Sequence, residues 1–382
     1  MFLVSSLNLC SNLHLTIEAN ATLRFTNNHD NYPIITTRWE GREYAMYRAC
    51  LYAKDIDTLL LDGSGTVDGN GFLWWENFQA GSKDIARPYL LSIEHSKNIT
   101  IKDLHFCNSP AWTLHPYDCD NVLIDGVSVK NPYDSPNTDG CDPESCRNIR
   151  IVNCKFDVGD DCIAVKAGTE DALESIACEG MVIANCNMLH GHGGVVLGSK
   201  MSGTIKNVTI SNCTFVNTDR GIRFKTRRGR GGSISNITIS NIVMDNVLCP
   251  IVMNLYYFCG DKGKEKLVWD KAPYPVNDTT PKIKHVRIQN INALNIRSCA
   301  AIIYGLPEMP IEDVHISDSS FYLDKTSSPT TPAMFADAPK LAQKGFFMEN
   351  TRNCELRDLL IVGTNDKPIF HNRSNKFLKV DL

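Results

Sequence analysis

Short bursts of alternating apolar and polar residues recur along this chain. In Asn98-Ile99-Thr100-Ile101-Lys102-Asp103-Leu104 the second, fourth and seventh positions are apolar. The pattern returns at Asn121, Asn148, Gly180, Asn207, Asn236, His285, Asp313 and Asn353, with steps of 23, 27, 32, 27, 29, 49, 28 and 40 residues. Period-two alternation predicts a strand with one buried face. The break between the fourth and seventh positions predicts a bend. Asn, Asp or Gly occupies it in most copies, and these residues tolerate left-handed backbone and form turns.

A strand, a bend and a second strand, repeated every 23–30 residues or so, describe one coil of a parallel solenoid. The repeats are rich in Val, Ile and Thr and lack a 3.6-residue period, so helical repeats are excluded. The pattern predicts an all-β parallel β-helix of about nine or ten coils. It runs as a single domain over residues 1–382 with very little helix. Stacking should place the seventh-position residues Cys154, Cys186 and Cys213 inside as small buried hydrophobes, not as metal ligands. The polar stretches 259–281 and 325–345 read as long surface loops.

Composition narrows the class. Hydrophobic residues make up 43% and charged residues 21%, which fits a core-forming chain. The net charge of −4 gives no reason to expect nucleic acid as a partner. No run of 18 apolar residues suggests a membrane span. Fifteen cysteines without a Cys-x-x-Cys pair, and an N-terminus unlike a signal peptide, lead us to expect a reduced, cytoplasmic protein; secretion would require a leader ahead of Met1. Seven Asn-x-Ser/Thr sequons occur, most of them inside the repeat.

Four polar clusters interrupt the repeats: Asn137-Thr138-Asp139-Gly140, Gly159-Asp160-Asp161, Gly191-His192-Gly193 and a basic run from Arg220 to Arg230. Alone, each has a plain reading: Asp139-Gly140 as a turn, His192 as a loop histidine, the basic run as a solvated loop. Their spacing argues otherwise. Asp139 to Asp161 is 22 residues, and the steps to His192 and on to Arg223 are 31 each. Each step is about one coil, so these side chains should converge on one lateral groove, on strands about 4.7–4.9 Å apart. Grouped carboxylates in unlike environments suit glycoside hydrolysis, which needs one protonated acid and one ionised base. Guanidinium and ammonium groups among glycines suit recognition of an anionic sugar. No metal or cofactor is expected.

Taken together and in order, these four segments resemble the signature of the polygalacturonase family of glycoside hydrolases, family 28. Gly63-Ser64-Gly65-Thr66-Val67-Asp68-Gly69 and Asn108-Ser109-Pro110-Ala111-Trp112 add to the resemblance. It implies a right-handed parallel β-helix of the pectin-lyase-like type, with an N-terminal cap that is shortened here. It implies an inverting enzyme cleaving α-1,4-galacturonic acid linkages in pectin or oligogalacturonides. Asp160 would be the general acid, and Asp139 with Asp161 the base pair that activates water. His192 would support the acid. Arg223 and Lys225 would hold the substrate carboxylate. Tyr257, ahead of Tyr256, would line the sugar site. An inverting pair further implies carboxyl groups roughly 6.5–9.5 Å apart. The glycine-arginine run after Lys225 is similar to exo-acting bacterial members. Two other classes remain open on the sequence: a pectate-lyase-like enzyme acting by β-elimination with calcium, and a non-catalytic carbohydrate-binding solenoid.

Overall fold

The computed structural model describes residues 1–82, 85–372 and 379–380. Among these residues strands dominate, and the longer of two short α-helices is Phe72–Gln79. The chain winds as a right-handed parallel β-helix. No helix among the described residues is long and apolar enough to cross a membrane.

One face of the solenoid stacks twelve rungs, from Leu13–Thr16 through Asp57–Asp62 and Lys97–Lys102 to Lys379–Val380. That exceeds the nine or ten expected. The two extra rungs near the N-terminus carry Glu18 and Ser64 where the seventh-position apolar residue should stand, which hides them from the pattern.

The repeat has a backbone cause. Its first residue adopts left-handed φ in every copy, from Asn98 (59°) and Asn121 (57°) to His285 (57°), Asp313 (54°) and Asn353 (52°). The bend residue does the same, as at Asp103 (60°), Asn153 (58°) and Asn241 (57°). Asn and Asp accept this conformation with the least penalty after glycine. Their side chains also bond along the stack: Asn121 Nδ2 donates to Asn98 Oδ1 at 2.8 Å, and Asn241 Nδ2 to Asn212 Oδ1 at 3.0 Å. Most sequons therefore belong to these asparagine ladders.

Inside, equivalent residues stack. Phe106, Val129, Phe156, Met188, Phe215, Met244, Ala293 and Phe321 follow one another in register, all buried. Cys154, Cys186 and Cys213 are buried as expected, and their thiols lean on backbone carbonyls.

A second stack of strands carries the chemistry. It passes through Leu114–Tyr117, single bridges at Cys141 and Glu144, Asp161–Val165, the latter half of Asn187–Gly198, Thr218–Lys225 and Cys249–Asn254. The 259–281 and 325–345 stretches do more than cover surface. The first contains a short helix, Lys266–Trp269, and its Cys259 and Lys262 reach the cleft described below. The second brings Met334 against Arg223. An antiparallel hairpin, Ile34–Trp39 with Arg42–Tyr47, folds against the same side.

Candidate active site

Register on the second stack decides which side chains meet. Cys141 pairs with Ile163, so Asp139 and Asp161 hold equivalent places on neighbouring rungs. Asp161 pairs with Gly193, which sets Asp160 beside His192. The rungs approach closely because glycines permit it. A Cβ at Gly140 would stand 2.4 Å from the Cys162 carbonyl, and one at Gly193 would meet Asp161 Oδ1 at 3.0 Å.

The result is a cleft of about 500 Å³ lined by Asp139, Asp160, Asp161, His192, Arg223, Lys225 and Tyr257 among others. Every site residue named from the sequence is there. Each of the three aspartates offers an oxygen within 4.8 Å of those of the other two. The separation expected of an inverting pair is thus not met by these oxygens. The scaffold dictates the crowding, because two of the acids sit on adjacent rungs and the third is next in sequence.

Their environments differ. The Asp161 side chain is 2% exposed; Lys225 Nζ lies 2.7 Å from its Oδ2 and Arg223 Nη1 3.4 Å from its Oδ1. Burial alone would raise its pKa, but Lys225 and Arg223 outweigh burial and hold Asp161 well below the usual carboxylate range. Asp139 goes the other way. Burial, then the charges of Asp142, Asp160 and Asp161, push it up, and Lys166 only partly opposes them. Asp160 is 26% exposed, and its Oδ1 lies 3.3 Å from His192 Nδ1. That hydrogen bond raises the His192 pKa above its ordinary value.

Tyr257 closes the wall beside the basic pair, its ring 5.5 Å from the Arg223 guanidinium and 5.2 Å from Lys225 Nζ. Tyr256 does not share this role. It is buried in the core, with Lys271 over its ring at 3.4 Å.

The rest of the basic run is structural. Arg220 donates to the Pro332 carbonyl, Arg227 and Arg230 pair with Glu170, and Arg228 pairs with Glu308. Sequence reasoning missed three supports. Arg87 ties the Asp139 loop by donating to Asn137 Oδ1 and the Pro110 and Pro136 carbonyls, each at 2.8 Å. Lys166 lies 2.8 Å from Asp142 and 3.8 Å from Asp139. Glu144 bridges His115 at 3.3 Å and Arg38 of the hairpin at 3.0 Å. A lone charged residue at the end of an apolar strand was the available signal for Lys166; nothing local marked Glu144 or Arg87. The three aspartates could also present oxygens to a divalent cation, but Lys225 and Arg223 already occupy both oxygens of Asp161.

Residues 2–269 match the model for glycosyl hydrolases family 28. A protein named probable polygalacturonase from Vitis vinifera is 32% identical over 331 residues, covering 84% of this chain and 65% of that protein. A polygalacturonase of Juniperus ashei is 29% identical, covering 74% of this chain and 52% of its own length. The chain thus spans less than two thirds of either relative. Among solved structures, an exopolygalacturonase from Thermotoga maritima superposes with a TM-score of 0.73 at 25% identity, covering 94% of this chain and 82% of that one. A family 28 exopolygalacturonase from Yersinia enterocolitica shares the fold, with a TM-score of 0.81 at 20% identity over 100% of this chain and 71% of that one.

Proposed function

This chain belongs to glycosyl hydrolases family 28, and on that premise we propose that it hydrolyses α-1,4-galacturonic acid linkages in pectin fragments or oligogalacturonides, from the chain end and with inversion. One observation carries the reading. A single cleft holds three crowded carboxylates in unlike environments, and the cations that neutralise one of them face the same space. The same cations can also reach a substrate carboxylate, which suits an acidic glycan.

Asp160 is the proton donor. It is the most exposed of the three acids, and His192 beside it orients its Oδ1. As the glycosidic C–O bond breaks, the leaving oxygen takes the Asp160 proton, and the oxygen of a water forms the new bond to the anomeric carbon. Asp161, kept ionised by Lys225 and Arg223, accepts the water's proton, and Asp139 beside it shares in placing that water. The substrate carboxylate accepts charge-assisted hydrogen bonds from Arg223 and Lys225.

Action from the chain end is supported by the hairpin. Its tip residues Glu40 and Arg42 line the cleft, and the Gly41 carbonyl accepts from Thr169 N at 2.9 Å. The tip thus forms part of the cleft wall. Incubating the protein with defined galacturonate oligomers and separating the products by chromatography tests the reading. Monogalacturonate or digalacturonate released from the outset supports it. A ladder of mid-length products would refute chain-end action, and intact substrate would refute the whole proposal.

A further inference from the structure

The cations of the cleft are not equally available. Lys166 is committed to Asp142 and Asp139, Arg223 and Lys225 to Asp161, Arg227 and Arg230 to Glu170, and Lys262 to Asp171. Lys200 is different. It follows the strand that carries His192, it is half-buried, and it lines the same cleft. No described carboxylate lies within ion-pair distance of its Nζ, which instead sits 5.0 Å from the centre of the Trp112 ring. Glu144 acts on it only from farther away, and its oxygens already serve Arg38 and His115.

The position of Lys200 is fixed from both sides. Its backbone carbonyl accepts from Ala167 N at 2.7 Å. The hairpin tip presses on its stem, since a Cβ at Gly41 would stand 3.0 Å from Lys200 Cγ. Trp112 is itself held, stacked on Tyr89 with centroids 5.1 Å apart and planes 4° from parallel. Lys166 lies over the same ring at 4.6 Å and reaches on to Asp139. So an ammonium with no described acid partner stands beside the hairpin tip, one side chain removed from the reacting carboxylates.

We propose that Lys200 binds a second uronate carboxylate, on the sugar lodged against the hairpin tip and distinct from the one held by Arg223 and Lys225. The inference rests on the galacturonan reading above and adds to it: the cleft requires two acidic rings. A charge-assisted hydrogen bond to a half-buried ammonium gives Lys200 specificity for an acidic ring there.

The test uses trigalacturonate and its three singly methyl-esterified forms, each lacking the charge on one ring. The full chain is compared with Lys200→Met, Lys200→Arg and Lys225→Met. Lys200→Met should raise KM for trigalacturonate and lower kcat/KM by about tenfold, the loss expected for one bond to a charged group. Lys200→Arg should recover most of this. With one esterified substrate the Lys200→Met loss should vanish, and a different ester should blunt the Lys225→Met loss. An unchanged kcat/KM for Lys200→Met, an equal loss on all four substrates, or the same ring reported by both lysines would overturn the proposal. If the unmodified protein cleaves none of the four, the galacturonan reading itself has failed, an outcome separate from these three.

Discussion

Lys225 Nζ lies 2.7 Å from Asp161 Oδ2, with both side chains nearly excluded from solvent. The cation assigned to the substrate is thus already spoken for by the base. Replacing Lys225 with Met keeps the stem and deletes the charge. Arg223 remains 3.4 Å from Asp161, so the stability loss should fall near the low end for a broken buried pair, about 3 kcal/mol by chemical denaturation at pH 7. The sign of its pH dependence follows from the depressed Asp161 pKa. The stabilisation is complete above the unfolded value of about 3.9 and is lost as pH falls through the lower folded value. The parent should therefore lose its advantage over Lys225→Met only in strong acid. Activity should fall more on galacturonate than on methyl-esterified substrate, and equal losses would mean that Lys225 serves the base alone.

Asp160→Asn nearly preserves shape while removing the proton donor. The rate should drop by about 10²–10⁴-fold. His192 supplies an independent readout, because its raised pKa is owed first to its bond with Asp160. In the variant its NMR titration midpoint should move down toward about 6.5. A rate within a few-fold of the parent would exclude Asp160 as the acid, and an unmoved midpoint would exclude the contact.

The hairpin 34–47 should govern where along the polymer the enzyme cuts. It is anchored by Arg38, whose guanidinium meets Glu144 at 3.0 Å, and by Trp39, stacked on Tyr89 at 5.4 Å. Replacing residues 34–47 with a short glycine-serine link should open the groove. Polygalacturonate viscosity should then fall at a smaller fraction of bonds cleaved than with the parent. An unchanged relation between viscosity and released reducing ends would show that the hairpin does not set the mode of attack.

The solenoid was legible because its constraint is local and repeated. Each coil needs a residue tolerant of left-handed backbone at the same two places, and Asn or Asp supplies it, as at Asn148 and Asn153. The site was legible in part for the same reason: Asp160 and His192 hold equivalent places on adjacent rungs, but Arg223 pairs with Val196, four residues past His192, and reaches Asp161 through the length of its side chain. What escaped notice depends on contacts with no fixed spacing. Arg87 reaches Asn137 across 50 residues and Arg38 reaches Glu144 across 106, both through loops or insertions outside the repeat. The pairing of Lys225 with Asp161 was equally hidden, because strand alternation gives the face of a side chain but not its partner.

Time-resolved proton NMR of the hydrolysis of trigalacturonate tests the central claim most directly, because the crowded aspartates do not by themselves fix the stereochemistry. One spectrum series reports bond type, outcome and mechanism together. The account predicts that the first new reducing-end signal belongs to the β-anomer, with the α-anomer appearing later by mutarotation. An α-anomer appearing first would contradict the roles given to Asp139, Asp160 and Asp161, and a vinylic proton from an unsaturated uronate would show elimination in place of hydrolysis.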